Sequence, residues 1–234
     1  MQILTSVGVL LLAYLIGSIP NGFLIVKIFT GKDVRQIESG RTGGTNALRA
    51  AGFWAGLSTA LLDITKGALA VLVAKYFFPQ DDLIPYNDVI HVLAATAAIL
   101  GHNYSIFMPE FSESGKLMRL RGGAGGAPAL GGAIGLWGPV SLIILPLGVI
   151  VYFTIGYASV TTISIAFFAF LVFGIRYLQD PGNNHLAYVA YGLIAMALLG
   201  WALRPNFVKL MEGNERVISI SLHGWLKKRK EKQD

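Results

Sequence analysis

Met1–Pro20 reads MQILTSVGVLLLAYLIGSIP, and none of its residues is charged. A secretory signal peptide would begin with basic residues and end in a small-residue cleavage site, and neither feature is present. An uncharged, apolar stretch of about 20 residues is long enough to cross the hydrocarbon core of a bilayer. The segment therefore predicts a transmembrane helix of the mature protein.

The composition of the whole chain agrees with a membrane location. Hydrophobic residues make up 54% of the 234 positions and charged residues only 14%, with a mean hydropathy of +0.59. A soluble domain carries about 25% charged residues, because its surface must be hydrated. The chain has no cysteine and only four scattered histidines, which excludes disulfides and thiolate sites. We therefore expect an integral membrane protein with no metal site and no cofactor.

Apolar runs divide the chain into candidate spans. Five runs are long enough to cross a bilayer: Ile3–Phe29, Ala51–Phe78, Val89–Met108, Ile155–Tyr177 and Leu186–Leu203. A further apolar stretch, Pro128–Phe153, contains prolines and several glycines. We expect one polytopic domain over residues 1–234, with residues 205–234 as a basic tail.

The charges of the connecting segments predict an orientation. Thr30–Ala50, Pro109–Gly126 and the tail are rich in Lys and Arg, whereas Pro79–Asp88 has three aspartates and no basic residue. Basic loops remain in the cytoplasm. The N-terminus is therefore predicted outside and the tail inside. The tail could also bind nucleic acid, but beside a membrane it more simply marks the cytoplasmic end, so we expect no nucleic-acid partner.

Parity then constrains the stretch Pro128–Phe153. A single crossing would leave the basic tail outside, whereas a helix that breaks near Trp137–Pro139 and returns keeps it inside. Proline and glycine favour such a break. The predicted fold class is an all-α integral membrane protein with about five full spans and a broken two-helix hairpin, seven helices in total. One kinked span with the tail outside is the alternative.

Two glycine-rich, basic loops predict phosphate binding. The first, Ser39–Arg49, reads SGRTGGTNALR, and the second, Arg121–Gly126, reads RGGAGG. Glycine-rich backbone can turn several N–H groups toward an anion, and arginine adds charge-assisted hydrogen bonds. Flexible connectors whose arginines only set topology are the alternative.

Polar residues within the apolar runs are further candidates. Asp63 and Lys66 lie three residues apart and are predicted to pair on one helix face, either functionally or as a structural ion pair. His102 ends the third run, where packing or capping is its commoner role. Ser159 begins the fourth, where a hydroxyl usually bonds to its own helix backbone.

The order of these segments resembles the bacterial membrane glycerol-3-phosphate acyltransferases that use acyl phosphate as donor. The similarity covers nearly the whole chain and is carried by these segments: Gly17–Pro20, Ser39–Gly52, Asp63–Gly67, Gly101–Phe107, Arg121–Gly125, Tyr157–Ser159 and Asn206–Glu215. The resemblance implies catalytic roles for Ser39, Arg49, Ser159 and Asn206. It also implies a substrate-binding set: Gly43, Thr45, Asn46, His102, Arg121, Gly122, Gly123, Gly125 and Glu215.

The chain departs from the family pattern at several positions. Ala124 and Leu203 stand where the family carries a lysine and a histidine that are implied to bind glycerol 3-phosphate. Arg41 replaces an asparagine, Gly156 replaces an arginine, and Ser112–Leu120 is an extra stretch. Arg41 and Arg204 are candidates for restoring the lost positive charge.

The resemblance implies acyl transfer from acyl phosphate to the sn-1 hydroxyl of glycerol 3-phosphate, at a cytoplasm-facing site in the bacterial inner membrane. Its expected partners are the two substrates and membrane lipids; the sequence does not identify whether there is a protein partner. A divergent relative that binds phospho-ligands or lipid with weak or redirected turnover is the alternative. A small transporter is a third possibility, which would place its polar groups near the membrane midplane instead of at one face.

Overall fold

The structure is a computed structural model that describes residues 2–79, 85–182 and 185–230, and the following elements lie within those ranges. Its ten α-helices are α1 Gln2–Ser18, α2 Asn21–Thr30, α3 Gly44–Ala51, α4 Phe53–Phe77, α5 Pro85–Asn103, α6 Gly126–Leu136, α7 Ser141–Thr154, α8 Ala158–Gln179, α9 Leu186–Met211 and α10 Leu222–Lys230. Two strands, β1 Pro109–Phe111 and β2 Leu117–Leu120, and short 3₁₀ turns at Val34–Gln36 and Gly138–Val140 complete it.

The helical membrane class is confirmed, and the predicted helix count of seven is wrong. Among the described residues, four segments are long and apolar enough to cross a bilayer: 2–30, 53–77, 158–179 and 186–211. Helix α5, which carries two histidines and Asp88, is not among them. The helices beyond the predicted seven are α2, α3 and α10. Helix α2 lies in a segment predicted as part of one span, α3 lies in a predicted loop, and α10 lies in the predicted tail. The total number of spans and their orientation remain predictions.

The first apolar run is two helices instead of one. Proline at position 20 cannot donate a helical hydrogen bond, and the chain restarts at Asn21. Lys66 Nζ donates to the carbonyl of Ile19 at 2.7 Å, and Asn21 Nδ2 donates to Asp63 Oδ1 at 3.0 Å. The Asp63–Lys66 pair, joined at 2.9 Å, therefore satisfies backbone that the break exposes.

The break at Trp137–Pro139 is confirmed. Helix α6 ends at Leu136, whose carbonyl accepts a hydrogen bond from Lys75 Nζ at 2.8 Å, and α7 begins at Ser141. The start of α6 and the end of α7 line the same cavity, so the chain returns to the level at which it entered.

The all-α prediction is wrong in one place. The antiparallel strands β1 and β2 pair Pro109 with Leu120 and Glu110 with Arg119. This hairpin occupies the extra stretch Ser112–Leu120 and its flanks. It lies between α5 and α6 in the chain, and its backbone N–H and C=O groups pair across the two strands.

Helix α6 lies at the centre of the bundle. A Cβ on Gly67 of α4 would overlap the backbone of Pro128, and one on Gly131 would overlap the carbonyl of Ile64, so α4 and α6 pack at backbone distance. Small residues allow such close approach between helices in membranes. The buried side chains of α5, α8 and α9 surround the other faces of α6. This packing fixes the start of α6 at the centre of one end of the bundle.

The tail is partly folded. Helix α9 continues through Pro205 to Met211, beyond the apolar run predicted to end at Leu203. The following segment returns to the loop between α7 and α8, where Ile218 N donates to Gly156 O at 2.7 Å. The division of the chain at residue 205 remains a prediction, and residues 231–234 lie outside the described part of the tail.

Candidate active site

One cavity lies at the end of the bundle where α6 and α8 begin, where α7 ends and where the glycine-rich loops lie. Its volume is about 540 Å³, and its walls come from both glycine-rich loops, the end of α5, the helices α3, α4, α6, α7, α8 and α9, and the segment that follows α9. Apolar side chains form one part of the wall: Phe53, Leu57, Leu61, Leu145, Val149 and Phe153. The other part is polar. The cavity can therefore hold a molecule with an apolar chain and a charged group.

The first glycine-rich loop forms the polar wall. Gly43 precedes α3 without a side-chain cap, so the first N–H groups of that helix face the loop. Ser39, Gly43 and Thr45 line the cavity, as the sequence predicted for a phosphate site. A helix start with unbonded N–H groups favours an anion.

Asn46 has a role that the sequence did not predict. Its Nδ2 lies within 3.1 Å of three carbonyl oxygens, those of Val34, Ile37 and Arg41. Asn46 lines the cavity. Its amide Nδ2, which the sequence predicted to bind phosphate, instead donates to carbonyl groups of its own loop and stabilises that loop.

Two half-buried arginines supply positive charge. Arg49 lines the cavity and makes no side-chain hydrogen bond within the ranges that the structure covers. Arg41 Nη2 donates to the carbonyl of Ala202 at 2.7 Å. Loss of contact with water lowers the pKa of both guanidinium groups, and nearby carboxylates, Glu215 for Arg41 and Glu38 for Arg49, partly offset that shift. Both arginines stay charged, because a guanidinium group loses its proton only far above neutral pH.

Asn206 and Glu215 form a pair on the opposite wall. Asn206 Nδ2 donates to Glu215 Oε1 at 2.8 Å, and Glu215 is buried. Its second oxygen has no hydrogen-bond partner in the described structure. A carboxylate repels a phosphate, so Glu215 suits the balancing of the arginines, or a substrate hydroxyl, better than a phosphate group.

Ser159 begins α8 and also lines the cavity. The side chain is buried, and its Oγ has no hydrogen-bond partner among the residues described. Most hydroxyls in membrane helices bond to their own backbone. A buried hydroxyl that faces a cavity without a partner is available to a ligand.

The second glycine-rich loop contributes less than predicted. Of its predicted residues, only Gly125 lines the cavity; it has φ +92° and precedes α6, which begins with free N–H groups. Arg121, Gly122 and Gly123 lie outside the lining. Arg121 makes a two-point contact with Glu110, with both distances 2.9 Å. The hydrogen bonds from Arg121 and Arg119 lower the pKa of Glu110 to about 2.

His102 is packed rather than exposed to solvent. It lines the cavity, and its Nδ1 lies 3.6 Å from Asp63 Oδ1. A Cβ on Gly123 would overlap the imidazole, and Gly123 N donates to the carbonyl of His102 at 2.9 Å. The close approach of Gly123 explains why the second loop needs glycine next to this histidine.

The structure separates the two arginines proposed to replace the family lysine and histidine. Ala124 and Leu203 both line the cavity. Arg41 lies beside them, because its partner carbonyl, Ala202, precedes Leu203. Arg204 instead stacks on Trp201, 3.2 Å from the ring centroid, and is exposed outside the cavity. Of these two arginines, only Arg41 can therefore supply charge to this wall.

The lining residues that the sequence did not single out include Tyr152, Arg216 and Ile220. Tyr152 stands at the end of α7 and faces Thr45 and Arg49. Arg216 and Ile220 come from the folded segment after α9, which the sequence predicted as a tail. The resemblance implied site roles for Asn206 and Glu215 of the tail, but it indicated none of these three residues.

Comparisons with known proteins find similarity over nearly the whole chain. The family model described as glycerol-3-phosphate acyltransferase matches residues 7–213. Relatives of that name include one from Synechococcus sp. (strain CC9902), 36% identical with 92% of this chain and 96% of the relative covered, and one from Thermus thermophilus, 36% identical with 90% and 94% covered. A solved structure is also similar: the crystal structure of PlsY (YgiH), an integral membrane glycerol 3-phosphate acyltransferase, in its glycerol 3-phosphate form. The two sequences are 27% identical, the alignment covers 92% of this chain and 96% of the PlsY chain, and the TM-score is 0.73.

Proposed function

The chain belongs to the glycerol-3-phosphate acyltransferase family, and from this premise we propose that it transfers an acyl group from acyl phosphate to glycerol 3-phosphate at the cavity described above. One observation carries the proposal: a single cavity has an apolar wall beside a wall with two half-buried arginines and two helix starts. An acyl phosphate and a phosphorylated alcohol both need positive charge, and the acyl chain needs the apolar wall.

The reaction follows from this arrangement. The sn-1 hydroxyl oxygen forms a bond to the acyl carbonyl carbon, the bond from that carbon to the phosphate oxygen breaks, and the departing phosphate takes the hydroxyl proton. Arg41 and Arg49 neutralise the phosphate groups, and the N–H groups at the start of α6 can stabilise the negative oxygen that develops on the carbonyl. Holding the hydroxyl against the carbonyl can lower the barrier by about 7–11 kcal/mol.

Arg41 is proposed to replace the missing family side chains. It lies beside Leu203 and lines the cavity, whereas Arg204 lies outside it. Its planar guanidinium binds phosphate in a geometry different from that of a lysine. We therefore expect acyl transfer to be retained, with an acceptor preference that depends on Arg41.

The polar groups also support an acyltransferase over a transporter. One buried charged residue, Asp63 within α4, also lines the cavity. The other polar lining residues come from the first glycine-rich loop, the beginnings of α3 and α8, the ends of α5 and α7, the last part of α9 and the segment after it. These lie together at one end of the bundle, whereas a transporter site is expected near its middle. We propose that this end faces the cytoplasm of a bacterial inner membrane, with the N-terminus outside and the tail inside.

Single cysteines can test the orientation, since the chain has none of its own. A membrane-impermeant thiol reagent added outside should label a cysteine at Asp82 or Asn183, positions outside the described residues. It should not label one at Lys116 or Lys230. External labelling at Lys230 would contradict the hairpin topology.

Turnover by the purified protein tests the function. Acyl phosphate should be supplied with glycerol 3-phosphate and then with other phosphorylated alcohols, and phosphate release and acylated product should be measured together. Arg41→Ala should reduce turnover as strongly as Arg49→Ala, while the matched variant Arg204→Ala should leave it unchanged. Binding of glycerol 3-phosphate without product would instead identify a relative that binds its ligand and has lost catalysis.

A further inference from the structure

Helix α10 combines apolar and basic residues on the surface of the protein. Its sequence is LHGWLKKRK, and it lies beyond the part of the chain that matches the family. Leu222, Trp225 and Leu226 are 54%, 56% and 44% exposed, and the next three residues are exposed cations. A helix in water would bury such apolar side chains, whereas a helix at a membrane surface places them among the lipids and keeps its cations at the headgroups.

The position of α10 fits the edge of a bilayer. The helix packs against α7, and His223 Nδ1 lies 3.2 Å from the carbonyl of Ile155 at the end of that helix. Ile150 and Ile155, which do not line the cavity, are also exposed. The apolar side chains of α10 therefore continue the surface that α7 presents to lipid. Tryptophan is enriched at this level of membrane proteins.

From this arrangement we infer that α10 binds the anionic phospholipid headgroups of the bilayer that holds the protein. Charge complementarity identifies the lipid: Lys227, Lys228 and Arg229 are exposed, and α10 contains no acidic residue. Each cation close to an anionic surface strengthens association about fivefold, so three give about 100-fold.

The lipid contact is connected to the active site by the preceding segment. Glu215, Arg216 and Ile220 line the cavity, and Ile218, which is buried, donates its N–H to the carbonyl of Gly156. Gly156 has φ +75°, and a Cβ there would overlap Ser221. The segment is thus held against the loop that leads into α8.

This connection gives the lipid contact a consequence for activity, which rests on the proposed function. A helix α10 bound to anionic lipid holds the segment before it as one wall of the cavity. A helix released from the surface leaves that wall free to separate. Anionic lipid in the bilayer should therefore raise kcat for acyl transfer.

The first experiment locates α10 without requiring turnover. Full-length protein with Leu226→Cys, labelled with an environment-sensitive fluorophore, is placed in vesicles of phosphatidylcholine alone or with phosphatidylglycerol added. The label should enter an apolar environment as phosphatidylglycerol increases, and high salt should reverse the change. The variant with Lys227→Gln, Lys228→Gln and Arg229→Gln should lose the response.

A control variant loses the same charge elsewhere. Lys32→Gln, Lys116→Gln and Lys209→Gln remove three exposed cations from other parts of the chain and should keep the response. The inference is overturned by a label signal that is equal in the two kinds of vesicle, or by a loss of response in the control.

The second experiment measures acyl transfer in the same vesicles. Wild type and the control should show kcat rising with phosphatidylglycerol, and the α10 variant should not. A label response with an unchanged kcat overturns the connection to the site. A label response in a protein with no turnover in any vesicle contradicts the proposed function, and the lipid contact then stands on the fluorescence alone.

Discussion

The buried Asp63–Lys66 pair offers a direct test of how the first span is held together. Lys66 and Asp63 are 5% and 1% exposed, with 2.9 Å between Nζ and Oδ1. Lys66→Met keeps the length and apolar stem of the side chain but leaves the Asp63 charge without its cation and the Ile19 carbonyl without its donor. Removing one partner of a buried ion pair costs about 3–5 kcal/mol.

The double variant Asp63→Asn with Lys66→Met separates the charge from the packing. It removes both charges and keeps an amide that can still interact with Asn21. Since a neutral replacement of a buried pair is often tolerated, at least half of the lost stability should return. The matched control, Lys209→Met, removes an exposed helical lysine and should change stability by less than about 0.5 kcal/mol.

Thermal unfolding of the purified protein in one detergent measures all four proteins. At about 2–4 °C per kcal/mol for a chain of this length, the single variant should unfold about 6–20 °C below wild type. If the single and double variants unfold at the same temperature, or if Lys66→Met behaves like Lys209→Met, the pair does not support the break at Pro20. Asp63 and Lys66 would then need a functional explanation.

Three further perturbations test the site and its supports. Arg49→Ala should raise KM for glycerol 3-phosphate about 10- to 150-fold in a turnover assay, because it removes a charge-assisted contact of about 1.5–3 kcal/mol. Arg49→Lys should restore part of the loss. An unchanged KM would mean that Arg49 only helps to set the membrane orientation. Gly123→Ala should lower stability by about 1–3 kcal/mol in the thermal assay, because the added Cβ would overlap His102. The control Gly200→Ala adds a Cβ that meets no neighbour, so it should stabilise α9 by up to about 1 kcal/mol. Equal effects of the two substitutions would refute the packing argument. In an NMR titration, Glu110 should stay ionised well below its ordinary pKa of 4.5. Its contacts with Arg119 and Arg121 should be fully present above pH 4.5 and should be lost only as the pH falls through about 2. Protonation of Glu110 at its ordinary pKa would show that these contacts do not hold in solution.

The membrane fold was predictable because its signals are local. Uncharged stretches such as Met1–Pro20 must become helices in lipid, since every buried backbone group needs a hydrogen bond within its own segment. The break at Trp137–Pro139 was predictable from local residues that cannot continue a helix, together with the charges of the loops along the whole chain. The order of the family motifs then indicated the chemistry.

Which side chains face the cavity could not be predicted in the same way. Arg41 and Arg121 stand in similar glycine-rich loops, yet one lines the cavity beside Leu203 and the other is bound by Glu110. That difference depends on a carboxylate of β1 and on a carbonyl of α9, neither of which the loop sequences reveal. The sequence carries the charge of each arginine, but only packing decides its partner.

The sequence by itself determined that the protein lies in a membrane, that it is helical, and which residues could form a phosphate site. Hydrophobicity and hydrogen-bonding capacity are properties of each segment alone. Only the tertiary structure decided that Lys66 closes the break at Pro20, that Asn46 holds its own loop, and that Arg216 and Ile220 line the cavity. Each of these depends on contacts between residues that local sequence does not bring together, and those contacts exist only once the helices have packed.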